Sequence, residues 1–284
     1  DRFSIKSENH INAEHFIDFI TQFKQEETGT FRLSEQGLTN SSPYTALVEQ
    51  AIAVIKSEGF SKVVPSRYKK VEYSGHLDIV KNFKDLCRLY ENAFVSVHFT
   101  EQFGLWMGAT SEMLLETEGN IFRTVSLAGT QAFDQNQHLG DVAWTQKEIE
   151  EQALVSRYII DCFKTIRLRE FIEKGPKTVK AGNLIHLKTT YEVDMNAVNF
   201  KELGTTMLHL LHPTSAVCGM PLEESLAFIL KNENYDRELY SGYLGPINFN
   251  EKTSIYVNLR CMKIDNKTLT LFAGSVVSED SNPS

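Results

Sequence analysis

The sequence predicts an α+β domain built on antiparallel sheets, and three observations point to it. Short apolar, β-branched runs arrive as adjacent pairs. Turn residues join the members of a pair, as at Glu118-Gly119-Asn120 and Asp265-Asn266-Lys267. Stretches of helical periodicity lie between groups of strands rather than after each strand, which favours α+β over a doubly wound parallel sheet.

Residues 1–43 are polar and irregular, with a weak helical pattern between Phe16 and Phe23. From Tyr44 the pattern sharpens. Tyr44, Leu47, Val48, Ala51, Ile52 and Ile55 follow helical spacing, and Gly59 stands where a C-cap belongs. Residues 60–73 read as one strand. Pro65 within it predicts an edge or a bulge, because proline brings no ladder donor. Residues 77–90 form a second amphipathic helix. The period then shortens to that of strands over 94–99, 105–108, 113–116 and 121–127. Thr145 with Glu148 is a capping-box pattern that opens a long helix to about Phe163. Residues 184–193 return to strand, 200–211 and 222–231 read as helices, and 254–264 with 269–277 read as a hairpin.

The chain has 284 residues, 42% hydrophobic and 23% charged, enough for a sizeable core. No repeat or Pro/Gly/Ser linker divides it, so the expectation is a segment over 1–43 and one large domain over 44–284. The net charge of −8 argues against a general nucleic-acid binder. No apolar run approaches the roughly 20 residues of a membrane helix, and no secretory pattern opens the chain. The four cysteines, Cys87, Cys162, Cys218 and Cys261, form no C-x-x-C pair, which argues against zinc. Cys87 and Cys162 fall in apolar helical patterns and read as core. Free thiols suit a reducing, cytoplasmic compartment.

Several side chains carry two readings each. Lys62, beside Phe60, Val63 and Val64, reads as a strand-edge lysine reaching solvent, or as a desolvated amine able to act as a base. Glu112 reads as a surface carboxylate at the start of a strand, or as an acid raised by burial. Glu151, crowded by Glu148 and Glu150, reads as a solvated face residue, or as a hard-metal ligand. His212, before Pro213, reads as a helix-end dipole partner. Arg260 reads as a solvated strand-end arginine, or as a fork for a carboxylate. Gly129 and Gly274 read as plain turn glycines, or as points of close backbone approach.

Four stretches decide between these readings together: Lys62-Val63-Val64-Pro65-Ser66-Arg67; Leu127-Ala128-Gly129-Thr130; His212-Pro213-Thr214-Ser215-Ala216-Val217-Cys218-Gly219-Met220-Pro221; and Tyr240-Ser241-Gly242-Tyr243-Leu244-Gly245. In this order they resemble the chorismate-utilising enzymes. The third resembles the His-Pro-Thr-Pro-Ala-Val-Cys-Gly-x-Pro signature of the isochorismate synthase branch, with Ser215 for the inner proline. Gly108-Ala109-Thr110-Ser111-Glu112 differs from the family's Gly-Ala-Thr/Ser-Pro-Glu by one residue, and Gln152 stands where the family has His after Glu151. The resemblance covers the chain from about Tyr44 onward.

The resemblance implies a single compact domain with a sandwich-like β core and helices outside. It implies conversion of chorismate to isochorismate: water adds at C2 and the C4 hydroxyl leaves. Lys62 would activate the water, and the amine-forming branch usually has Gln there. Glu112 would protonate the leaving hydroxyl. Glu151 would ligate Mg²⁺. Gly129, Thr130, His212, Tyr240, Arg260 and Gly274 would hold the substrate, Tyr240 and Arg260 sharing its enolpyruvyl carboxylate. The family implies a monomer with a small-molecule substrate, and both the menaquinone and the siderophore branches share this site. Two alternatives stand beside it: a salicylate synthase, which also eliminates pyruvate, and an inactive chorismate-binding domain. After Ala273-Gly274 the family usually has a second glycine, and later a Glu-Trp segment with a second magnesium Glu and a lysine. The expectation is therefore a shortened N-terminal segment and a domain lacking its extreme C-terminal segment.

Overall fold

The computed structural model describes residues 32–33, 38–39, 41–133, 138–181 and 184–283. The helical pattern expected between Phe16 and Phe23 lies outside them. In chain order, β1 (Arg32–Leu33) and β2 (Leu38–Thr39) precede α1 (Ser41–Lys56). Next come β3 (Lys62–Val63), β4 (Ser66–Ser74), α2 (Ile79–Leu89), β5 (Phe94–Thr100), β6 (Gly104–Thr110), β7 (Met113–Glu118) and β8 (Ile121–Ala132). Then follow α3 (Gln146–Thr165), β9 (Ile172–Ala181), β10 (Leu184–Asp194), α4 (Leu203–Leu211) and β11 (Gly219–Met220). Last are α5 (Leu222–Asn232), β12 (Tyr243–Leu244), β13 (Lys252–Val257), β14 (Cys261–Asp265) and β15 (Thr268–Gly274).

The described strands form two large antiparallel sheets, as expected for α+β. One runs β1-β4-β15-β14-β6-β5, with β2 also on β4; the other runs β12-β13-β7-β8-β10-β9; β3 and β11 make a two-stranded pair. The six-stranded sheet packs against α3 and α4 through Phe122, Phe163, Tyr191, Leu203 and Met207, all fully buried. The seven-stranded sheet buries Leu105, Met107, Ile264 and Leu269 against Ile79 of α2. A third core joins α1 and α5 over Phe60, Val63 and Val277.

Local chemistry explains the boundaries. The capping box is formed: Thr145 Oγ1 accepts from the Glu148 amide, and Glu148 accepts from the Thr145 amide at 2.8 Å. The hairpin turns fall at Gly119-Asn120 and Asn266-Lys267, since Glu118 pairs with Ile121 and Asp265 with Thr268. The α1 terminus differs from expectation. Glu58 and Gly59 donate to the Ile55 and Val54 carbonyls, but Glu58, at φ 61°, holds the left-handed position. Gly59 is needed for space: a Cβ there would lie 2.6 Å from Val54 Cγ1.

Two expected strands are each divided. Residues 60–73 split into β3 and β4, in different sheets, with Val64-Pro65 between them. Residues 254–264 split into β13 and β14, also in different sheets, with Asn258-Leu259-Arg260 between them. An unbroken apolar run does not reveal that the chain changes sheet inside it. β9 has no strand pattern in sequence, because it is an edge strand with charged residues on both faces and Gly175-Pro176 within it. Cys87 was expected in the core and is exposed, in the last turn of α2; Cys162 is buried, and all four cysteines are free thiols. No helix among the described residues is long and apolar enough to cross a membrane.

Candidate active site

Two of the expected site residues, Glu112 and Arg260, lie where the chain passes between sheets. Thr110 ends β6 in one sheet and Met113 opens β7 in the other, so Glu112 sits on the crossing. Val257 ends β13 and Cys261 opens β14, so Arg260 sits on the neighbouring crossing rather than at a strand end. The two crossings are bolted together. Thr110 Oγ1 donates to the Val257 carbonyl at 2.8 Å, the Val257 amide donates to the Glu112 carbonyl at 2.8 Å, and the Ala109 amide donates to the Arg260 carbonyl at 3.2 Å. Arg260 turns the chain at φ 52°, and its guanidinium lies 3.8 Å from the Glu112 carboxylate.

Glu112 keeps 21% of its side-chain surface, and the surrounding protein desolvates its carboxyl. A narrow cavity of about 40 Å³ opens beside it, walled by Leu114, Val155, Ser215 and Leu259. This desolvation raises the Glu112 pKa above the usual carboxylate range, and the Arg260 charge opposes the rise only in part.

Lys62 is 6% exposed. β3 carries it, paired with Met220 of β11, and Ser225 Oγ donates to its carbonyl at 3.0 Å. Gly219 makes the pairing possible at φ 147°; a Cβ there would stand 2.3 Å from the Lys62 oxygen. Burial lowers the Lys62 pKa, and the charge of Glu151 draws it partly back up. Glu151 is half-buried on α3. Glu148, one turn earlier, is occupied by the cap.

The Leu127-Ala128-Gly129-Thr130 stretch lies inside β8, which runs on to Ala132 rather than stopping at Leu127. Opposite it the register jumps, His186 facing Thr130 and Leu187 facing Ala128, so Gly129 is the extra residue of a bulge. Gly129 adopts φ 67°, and a Cβ would lie 3.3 Å from both Glu148 Cβ and Trp144 Cζ3. The bulge therefore packs on the first turn of α3. His186, which sequence reasoning missed, is buried behind it, with Nδ1 3.1 Å from Thr130 Oγ1 and 3.2 Å from the Gly129 carbonyl. Burial lowers its pKa; the Gly129 carbonyl opposes this and the Arg260 charge adds to it. The sequence carried no signal for it: in the alternation of β10, His186 falls on the face of Lys188, Thr190 and Glu192, opposite the buried Ile185, Leu187, Thr189, Tyr191 and Val193.

His212 caps the C-terminus of α4, and its Nε2 lies 2.9 Å from the Ser241 carbonyl. Its ring meets Tyr243 edge-on. Burial lowers its pKa despite that carbonyl, so it is a neutral group at neutral pH. Tyr240 is buried and stacks on Phe272. Gly274 closes β15, and a Cβ there would lie 3.1 Å from the Tyr240 hydroxyl, so this glycine makes room rather than a turn. Desolvation raises the Tyr240 pKa, keeping the phenol protonated. The structure thus brings Glu112 to Arg260, Lys62 to Glu151, Gly129 and Thr130 to His186, and Tyr240 to Gly274. Tyr240 and Arg260 are linked only through packing, since Tyr240 clusters with Cys261 and Leu259, the residues flanking Arg260.

A buried amine pushed toward neutrality and a carboxyl pushed toward protonation are the two halves of acid–base chemistry at one pH. Glu151 offers a half-buried carboxylate near the amine. Among the described residues no group of three or more His, Cys, Asp or Glu converges. Glu151 alone would offer a hard cation one carboxylate; a cation such as Mg²⁺ takes one or two protein carboxylates and completes its shell with water and substrate oxygens.

The family profile described as chorismate binding enzyme matches residues 5–284. Isochorismate synthase EntC of Escherichia coli (strain K12) is 26% identical over 285 residues, covering 95% of this chain and 71% of that protein. The solved structure of MenF, the menaquinone-specific isochorismate synthase from Escherichia coli, superposes with a TM-score of 0.79 at 23% identity, over 96% of this chain and 64% of that one. Anthranilate synthase component I from Streptococcus pneumoniae TIGR4 superposes with a TM-score of 0.76 at 16% identity, over 100% of this chain and 65% of that one. The last two likenesses establish the fold, which isochorismate-forming and anthranilate-forming proteins share. The profile match spans nearly the whole sequence, and the chain belongs to the chorismate binding enzyme family.

Proposed function

We propose that the protein is an isochorismate synthase, an isomerase that converts chorismate to isochorismate with Mg²⁺. The observation that carries this reading is Lys62, a lysine 6% exposed at the site and lowered in pKa by burial. In the amine-forming branch the resemblance expects Gln at this position. EntC and MenF, both isochorismate synthases by name, support the same reading.

In this mechanism neutral Lys62 takes a proton from the attacking water as its oxygen bonds to C2. The two ring double bonds shift, the C4–oxygen bond breaks, and protonated Glu112 gives its proton to the departing hydroxyl, which leaves as water. Lys62 is then protonated and Glu112 deprotonated, and proton exchange with solvent resets both. Arg260 and Tyr240 hold the enolpyruvyl carboxylate, while His212 and the Gly129 bulge line the ring. Glu151 would hold Mg²⁺, which supplies a hard positive charge for a substrate carboxylate.

The test is product analysis on chorismate with Mg²⁺, with pyruvate measured alongside. Isochorismate without pyruvate is expected. Salicylate with stoichiometric pyruvate would make the protein a salicylate synthase instead. Chorismate binding without any product would make it a binding domain and overturn the enzymatic reading.

A further inference from the structure

We propose that Arg237, locked by Glu233, is the positioning residue of this site, holding the backbone that carries Lys62 in register with the backbone that carries His212 and Tyr240. Neither residue belongs to the four signature stretches. The Arg237 side chain is 16% exposed and that of Glu233 is 3% exposed. The two pair bidentately, Nε to Oε2 at 2.8 Å and Nη2 to Oε1 at 2.6 Å. The donors left over go to other parts of the chain. Nη2 also donates to the Val64 carbonyl at 2.9 Å, two residues after Lys62. Nη1 donates to the Val217 carbonyl at 2.9 Å, inside the stretch that His212 opens, and to Ser241 Oγ at 3.1 Å. Ser241 is the residue whose carbonyl faces His212 Nε2, and it follows Tyr240 directly. Glu233 spends its remaining capacity on the same crossing, where Oε1 accepts from the Ser66 amide at 2.7 Å and from Ser66 Oγ at 3.0 Å.

One guanidinium therefore ties three of the four signature stretches. It does so where the chain leaves the β3–β11 pair for the large sheet, and the ladder offers few bonds of its own there. Only a planar fork with five donors can serve the carboxylate and these carbonyls at once. A lysine would keep the charge but cannot hold both the carboxylate and the separate carbonyls. Small displacements of a base relative to substrate are costly, about 10²-fold for roughly 1 Å. The kinetic part of this inference rests on the isochorismate-forming reading; the positional part does not.

The experiment is Arg237→Lys, read by hydrogen exchange and by steady-state kinetics, with Glu233→Gln as a second variant that still folds if the first does not. The amides of Val64, Ser66 and Ser241 are expected to exchange at least about 10-fold faster, relative to the core amides of Phe122 and Tyr191. Turnover of chorismate is expected to fall by about 10- to 100-fold, with KM changed less than about threefold, because the chemical step depends on where Lys62 stands. Glu233→Gln should give the same pattern with smaller changes. Equal acceleration of all these amides would make Arg237 a general brace and overturn the proposal. So would a normal kcat with locally faster exchange. If the wild-type protein does not turn over chorismate, the functional reading fails on its own, and the exchange pattern still decides whether Arg237 holds the site together.

Discussion

Lys62→Met should make the protein more stable and less active at once. The lysine is 6% exposed and burial lowers its pKa, so below that lowered pKa the folded state carries the cost of a desolvated ammonium, which the charge of Glu151 offsets only in part. Methionine fills a similar volume without a charge; replacing buried ion pairs with apolar groups of similar volume is often neutral or stabilising by about 1–4 kcal/mol, and Lys62 should follow because its burial outweighs its attraction to the half-buried Glu151. For a chain of this size that corresponds to a Tm rise of roughly 2–4 °C per kcal/mol. The pH dependence has a fixed sign. A lysine whose folded pKa is depressed costs stability in full below that folded pKa, and the cost disappears as pH rises past the unfolded value near 10.5. The advantage of Lys62→Met should therefore be largest at low pH and shrink as pH rises toward the unfolded value. Urea titrations of both proteins at several pH values, with kcat measured in parallel, test this. Turnover should fall by about 10²–10⁴-fold, the usual contribution of a positioned base. A variant less stable than wild type at pH 7, or a pH-independent gain, would refute the desolvated-lysine argument. Retention of more than about a tenth of wild-type turnover, the lower bound of that range leaving ample margin, would refute the base.

Glu151→Gln removes one hard anionic ligand and should raise the Mg²⁺ concentration needed for half-maximal activity; an unchanged magnesium titration would return Glu151 to the solvated face of α3. Arg260→Lys keeps a cation near Glu112 but loses the fork, so KM for chorismate should rise with a smaller fall in kcat, while Tyr240→Phe should act in the same direction more mildly. If both variants leave KM untouched and their effects on kcat/KM simply add, the two do not share a carboxylate. Gly219→Ala should destabilise by about 2–6 kcal/mol, from backbone strain of roughly 1–3 and overpacking of roughly 1–3 kcal/mol, because its Cβ would lie 2.3 Å from the Lys62 oxygen and 2.6 Å from Ser225 Oγ. A urea midpoint within error of wild type would show that the β3–β11 pair relaxes freely.

The helices and hairpins were legible because their signals are local. Thr145 and Glu148 stand three residues apart and cap α3 by themselves, and the two-residue turns at Gly119-Asn120 and Asn266-Lys267 need no tertiary partner. Three features were not legible, each for a physical reason. β9 is an edge strand, so it has no buried face to write an alternating pattern. His186 and Arg237 matter through partners 57 and 173 residues away in sequence, at the Gly129 carbonyl and the Val64 carbonyl. Such pairings leave no trace in local spacing. The residue types of the site were visible as motifs, but the pairing of Arg260 with Glu112 was not, since it depends on two crossings meeting.

The places where strand periodicity misled are the places that hold the site. Residues 60–73 and 254–264 each read as one strand, and each is divided where the chain changes sheet. A chain that leaves a sheet gives up ladder bonds and must replace them. Here the replacements are the Arg237 fork on Val64, Thr110 Oγ1 on Val257, and the Ala109 and Val257 amides on the Arg260 and Glu112 carbonyls. These substitutes leave side chains in the space between sheets, shielded from water without belonging to either core. That setting moves the Lys62 and Glu112 pKa values in opposite directions by the same cause, desolvation. Continuous strands would have turned both residues either into a core, where a charge is seldom tolerated, or onto a wet face, where neither pKa would move.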